Sequence, residues 1–321
     1  MSTLSVVEIP ENRNYWFVRT QAGRWFDDFI AGSYIAIGWN AITIDRISEE
    51  KSEVKLHDFI RKRYPKEERF SLTASHMMRF VKYMRPGDIV VIPSQRGSEF
   101  VFGEITGDAF TYNGTIEQNQ CPFIKRRSVK WLKRVPSSIL EPVLRSIKYA
   151  QPAVNSLNTY SELIDNELGG FLYVKGNKGY VVVRVEENHQ IRAKDLADFL
   201  TTSLEAVKKL DPNVNINDIY IKLNVQSPGP ITWIAGVGAI FILASAIYIS
   251  TPGEYKFDIK AGPVSVSASM QTQGFSEAVI KYKAQQHSQE MEKLRMQQEK
   301  LGIRLPEPAD KTINTNDKEE K

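Results

Sequence analysis

At 321 residues the chain is long enough for two domains and tails, and its composition, 42% hydrophobic and 25% charged, excludes disorder throughout. The net charge of +4 is uneven: residues 1–150 carry 23 Lys+Arg against 17 Asp+Glu and the rest is slightly acidic, which permits an anionic partner for the N-terminal half without requiring one. A lone cysteine, Cys121, excludes an intramolecular disulfide and a cysteine-based zinc site, and the opening MSTLSVVEIPENRN lacks the basic and apolar regions of a secretory signal.

In chain order, NYWFVRT (14–20) reads as a strand, QAGRWFDDFIAGS as a short helix ending at Gly32, and YIAIGWN (34–40) as a second strand before a tight turn. Leu56, Phe59, Ile60 and Tyr64 recur at helical spacing, and Pro65 stops that helix. Ser71 to Arg85 is a further helix with Met77, Phe80, Val81 and Met84 on one face. The turn RPGD leads into the strand IVVIP, and FVFGEI (100–105) and SVKWLKRV (128–135) alternate with the period of strands. From Gly169-Gly170 a second unit begins. FLYV and YVVVRVEE form a hairpin around KGNKG, residues 193–209 an amphipathic helix, and DIYIKLNV (218–225) a returning strand. TPGEYKFDIKAGPVSVSAS offers two more strands, residues 276–301 a long charged helix, and the last twenty residues the composition of a disordered tail.

Between these lies ITWIAGVGAIFILASAIYIS (231–250), twenty residues without a charge. Twenty helical residues span about 30 Å, the thickness of a bilayer's hydrocarbon core. Its six Ile with Val237, Phe241 and Leu243 contribute roughly −4 kcal/mol towards insertion. Trp233 and Tyr248 suit the two interfaces. The stretch is therefore expected to be a single membrane span, with the N-terminal domain cytoplasmic and the protein at the inner membrane. A buried core helix packed between the flanking strands is the alternative. Ala235, Gly236, Gly238 and Ala239 form a small-residue face that allows close helix approach and a homo-oligomer.

YWFVRTQAGRWFDDFIAGSYIAIGWN (15–40), SHMMRFVKYMRPGDIVVIP (75–93), FVFGEITGDAFTY (100–112) and VKWLKRVP (129–136), in that order and spacing, resemble the N-terminal domain of Mrr-type restriction endonucleases. That domain is similar to the PUA-like group, with EVE, ASCH and YTH modules. The resemblance covers about 140 residues and implies a compact twisted β-barrel that recognises nucleic acid, often through a modified or flipped base in an aromatic pocket. Four of the five tryptophans, Trp16, Trp25, Trp39 and Trp131, fall within it. Base stacking on such rings contributes roughly 1–3 kcal/mol each. Trp39 and Asn40 match the family's pocket edge best. Trp16, Arg19 and Arg79 complete the candidate ligand-binding set, although Arg19, three positions beyond Trp16, would face the other side of a regular strand. Core packing is the competing role for each Trp. KRRSVKWLKR (125–134) suits phosphate contact through Lys125, Arg126, Arg127, Lys130, Lys133 and Arg134, or a solvated edge strand. RKRYPK (61–66) would extend that basic face.

The nuclease half of the Mrr pattern is missing. Asp218 and Lys222 lie on one strand, but no Glu-x-Lys follows, and His57, His76, His189 and His287 lack ligand spacing. No phosphate loop or nucleophile elbow occurs, so no catalysis, metal or cofactor is expected. The sequence predicts an α+β chain. It comprises an N-terminal PUA-like β-barrel with inserted helices (1–150), a small central αβ unit (168–227), a transmembrane helix (231–250), a C-terminal strand pair plus charged helix (254–303) and a tail (304–321). The function expected is a membrane-anchored sensor of nucleic acid or nucleotide in antiphage defence, working with partner defence proteins. The alternatives are a soluble adaptor for modified DNA and a divergent Mrr-like nuclease.

Overall fold

A computed structural model describes residues 2–149, 152–185, 191–223, 229–250, 255–261 and 289–306. The chain divides into an N-terminal unit, Asn12–Ile164, and a C-terminal unit of Asp165–Pro308 with Met1–Glu11. Each is built on its own seven-stranded sheet. The first strand, β1 (Ser2–Ile9), therefore belongs with the C-terminal unit and not with the N-terminal domain expected over 1–150.

The N-terminal unit runs β2 (Tyr15–Val18), α1 (Phe26–Ala31), β3 (Tyr34–Ile37), α2 (Ile44–Glu49), α3 (Glu53–Arg63) and α4 (Phe70–Met78), which continues into a π-helical turn at Arg79–Tyr83. Then follow β4 (Ile89–Pro93), β5 (Glu99–Ile105), β6 (Phe110–Thr111), β7 (Lys125–Pro136), α5 (Pro142–Ser146) and β8 (Val154–Ser156). The strands β2, β3 and β4 are buried along their whole length, which is why they read as unbroken apolar runs without alternation. Their order is β3-β7-β5-β4-β2-β8, with β6 on β7. The twelve-residue β7 serves two neighbours: Lys125–Ser128 pair with β3 and Val129–Pro136 with β5, with a register shift between Phe102 and Gly103. The strand bends there, as bulged pairs do. Among the described strands β3 ends one side of this order and β8 the other, so the sheet curls into an open half-barrel. The closed barrel expected from the sequence is corrected accordingly.

α6 (Ser161–Leu168) leads into the C-terminal unit. There β9 (Leu172–Lys175), β10 (Lys178–Val185), α7 (Ala193–Leu210), β11 (Tyr220–Leu223), β12 (Gly229–Gly236), α8 (Val237–Ser250), β13 (Tyr255–Ala261), a terminal helix Gln289–Leu301 and β14 (Ile303–Arg304) follow. The order is β11-β12-β10-β9-β1-β13, with β14 on β10. The expected hairpin is present, turning at Gly176 with φ +60°. The expected second strand of the C-terminal pair, residues 276–288 of the charged helix, and residues 307–321 of the tail lie outside the described residues.

The membrane span is overturned. Residues 231–236 are not helical. They complete β12, which lies between β10 and β11 in the sheet. Only the fourteen residues of α8 remain helical, about 21 Å of rise against the roughly 30 Å a span requires. Among the described residues no helix is long and apolar enough to cross a membrane. The inner-membrane, single-pass placement loses its basis with it. The apolarity has another cause. α8 packs on β10 and β12 and is covered by α7 and the terminal helix, so it is apolar all round because it is enclosed all round. Ile240, Leu243, Ala244 and Ile247 have no exposed surface. The last turn is satisfied by protein: Gln298 Nε2 donates to Ile247 O at 3.0 Å and to Ser250 Oγ at 2.7 Å.

Candidate functional site

Where the half-barrel fails to close, a cleft of about 560 Å³ opens between the end of β3 and the ends of β2 and β8. Ala36, Ile37, Gly38 and Trp39 line it from β3, Arg19, Gln21 and Ala22 from the segment after β2, and Phe123 and Ala153 from the approaches to β7 and β8. Topology creates this gap directly. Ile37 pairs with Lys125, so Trp39 and Phe123 lie just past the point where those antiparallel strands part. On the other side Arg19 N donates to Ala153 O at 2.9 Å, continuing the Val18–Val154 pairing.

Three residues on this cleft hold left-handed backbone conformations that L side chains rarely adopt: Gln21 (φ +51°), Ala22 (+56°) and Trp39 (+58°). Each costs on the order of 1 kcal/mol or more and persists only when its surroundings over-determine it. Those surroundings are visible. Ile42 N donates to Trp39 O at 3.1 Å, and Ala41 N to Tyr64 Oη at 2.9 Å. Asn40 Nδ2 donates to Pro122 O at 2.8 Å while its Oδ1 accepts from Ile124 N at 3.3 Å, bracketing Phe123. At Gly38 an added Cβ would sit 3.3 Å from Phe123 Cε1, so glycine lets that ring close in. In the other turn Thr20 Oγ1 donates to Pro93 O at 2.7 Å and accepts from Gly23 N at 3.1 Å. Gly23 (φ +94°) lies against the backbone of Gln95, where no side chain fits.

The basic run resolves into two groups. Lys125, Arg126 and Arg127 are buried, at 1%, 8% and 1% exposure, and their assignment to phosphate contact is corrected. Lys125 Nζ donates to Trp39 O at 2.8 Å and Ile42 O at 3.1 Å. Burial pushes its ammonium down to about 8, because desolvation disfavours the charged form. Arg126 Nε donates to Phe123 O at 3.0 Å, and its guanidinium lies over Tyr34 and Tyr112, 4.1 and 3.8 Å from the ring centres. Arg127 donates to Phe80 O (2.6 Å), Val81 O (2.9 Å) and Gly107 O (2.8 Å). It caps the carbonyl end of the α4–π segment, where a cation opposes the helix dipole. Two of the three thus build the cleft: Lys125 holds the Trp39 wall and Arg126 the Phe123 wall. Lys130 and Arg134 are exposed and Lys133 half-buried, with Lys130 opposite Glu104 and Arg134 3.5 Å from Glu99. Acidic neighbours offset much of that face.

Of the ligand-binding candidates, Arg19 and Trp39 come together on the cleft, and Asn40 braces it. Trp16 does not belong there. It is 6% exposed and its Nε1 donates to Asp88 Oδ2 at 2.8 Å, a core position on the opposite side of β2 from Arg19. Arg79 Nη1 donates to Val154 O at 3.0 Å and does not line the cleft. Gln21, Ala22 and Phe123 were not legible as site residues. The only signal was the glycine after Gln21-Ala22, and nothing in the sequence marks Ala153.

Behind Trp39 stands His76, its ring centre 5.8 Å away and its plane tilted by 35°. It is 4% exposed, and neither ring nitrogen has a partner among the described residues. Burial, with Arg79 adding to it and Glu67 opposing, pushes its ionisation down to about 4.

Residues 16–158 match the model of a family described as a domain of unknown function (DUF8426), a span that contains the whole cleft and less than half of the chain. No curated protein and no solved structure matches.

Proposed function

We propose that the N-terminal unit is a recognition module for a planar, base-like ring, taken from a nucleic acid or a nucleotide. The observation that carries this is the strained Trp39 on an open cleft, with Phe123 as a second aromatic surface and Arg19 on the facing side. Strain of this kind clusters at ligand clamps. Flat apolar walls with a few polar groups at the edge are what an unstacked base requires. The resemblance of residues 15–40, 75–93, 100–112 and 129–136 to PUA-like readers supports the same reading. A setting in defence against foreign DNA rests on that resemblance alone.

The test is titration of the full chain with mononucleotides and short single-stranded DNA and RNA, read by calorimetry, for the parent and for Trp39→Ala. Loss of one stacking surface is expected to weaken binding roughly tenfold or more, with stability within about 2 kcal/mol of the parent because Trp39 is only half-buried. Unaltered affinity in the variant for every ligand that binds the parent would overturn the assignment of the cleft.

A further inference from the structure

We propose that the ligand is a nucleotide and not a bare base, its phosphate held beside Arg19 by the left-handed turn Gln21–Ala22; this rests on the ring-binding reading above. The polar side chains lining the cleft are Arg19 and Gln21, and none of the lining residues is acidic. Gln21 Oε1 accepts from Trp25 Nε1 at 2.7 Å. An indole N–H can only donate, so this contact fixes the amide's orientation and leaves its NH₂ to serve a ligand. The backbone N–H groups of Gln21 and Ala22 donate to nothing among the described residues, whereas those of Gly23 and Arg24 are taken by Thr20 Oγ1 and Gln21 O.

The polar edge of the cleft is therefore made of donors: a guanidinium, an amide NH₂ and two adjacent main-chain N–H groups. A base edge presents N–H groups as well as acceptors, and its donors would find no side-chain acceptor here. A phosphate presents acceptors alone, carries the complementary charge and suits adjacent N–H groups in a turn. The same phosphate can belong to a free nucleotide or to a single strand.

The full chain would be titrated with the common nucleosides, their 5′-monophosphates and a single-stranded tetranucleotide, each at low and moderate salt. The monophosphates are expected to bind roughly tenfold more tightly than their nucleosides, an advantage that shrinks as salt rises. Arg19→Gln is expected to remove that advantage and leave nucleoside affinity within about twofold, as for loss of a charge-assisted contact alone. A tetranucleotide tighter than the monophosphates assigns the phosphate to a strand, a weaker one to a free nucleotide, and either supports the seat. Equal affinity of nucleosides and monophosphates for the parent overturns the phosphate seat and leaves the ring reading standing. No binding by any of them overturns both.

Discussion

Lys125 shows how a side chain legible as basic can have an illegible job. In KRRSVKWLKR the charges announce a cationic strand, but composition does not say which of them turn inward. The answer depends on carbonyls that other segments leave unpaired: Trp39 and Ile42 for Lys125, Phe123 for Arg126, and the end of the α4–π segment for Arg127. A buried cation is retained only where such acceptors surround it. Trp39 was legible as the pocket residue, but its left-handed backbone was not, because nothing in IGWN distinguishes it from a turn that keeps φ negative. His76 carries a prediction at this scale. An unfolded His accepts a proton below about 6.5, whereas the folded one does so only near 4, so between those values the unfolded state binds more protons. The contribution of His76 to stability is complete above pH 6.5 and lost as pH falls towards 4, at up to roughly 1.4 kcal/mol per unit. Urea melts between pH 7.5 and 4.5 are expected to show the parent losing stability faster than His76→Phe. Parallel curves would contradict this.

At the scale of elements, strand and helix positions in the N-terminal unit followed closely from apolar runs and from stops such as Pro65 and Gly32. The apolar stretch did not. Uniform apolarity is shared by a membrane span, a central strand and a helix enclosed by protein. What separates them here is the change of period at Gly236, where ITWIAG completes a strand and VGAIFILASAIYIS coils. One glycine reports the enclosure. At Gly179 on β10 an added Cβ would collide with Ile240 of α8, so the helix sits on the strand where a side chain would otherwise be. Gly179→Val is expected to destabilise the chain by about 1–3 kcal/mol through overpacking, measured by urea denaturation. An unchanged midpoint would show that α8 does not press on β10.

For the whole molecule, two units were legible from the glycine-rich break near residue 169, but their membership was not. β1 joins β9 and β13 across more than 160 residues of chain, a pairing that no local pattern encodes. The open edge of the N-terminal half-barrel was equally hidden, since it arises from β3 and β8 having no strand between them, and that gap is the cleft. The central claim is that nucleic acid or nucleotide is read there and not along the exposed basic half of β7. Photo-cross-linking with a single-stranded oligonucleotide carrying 5-iodouracil, mapped by mass spectrometry on the full chain, tests it most directly. Cross-links to Trp39 or Phe123, competed by unlabelled nucleotide, are expected; cross-links confined to Val129–Pro136, with Trp39 and Phe123 untouched, would contradict it.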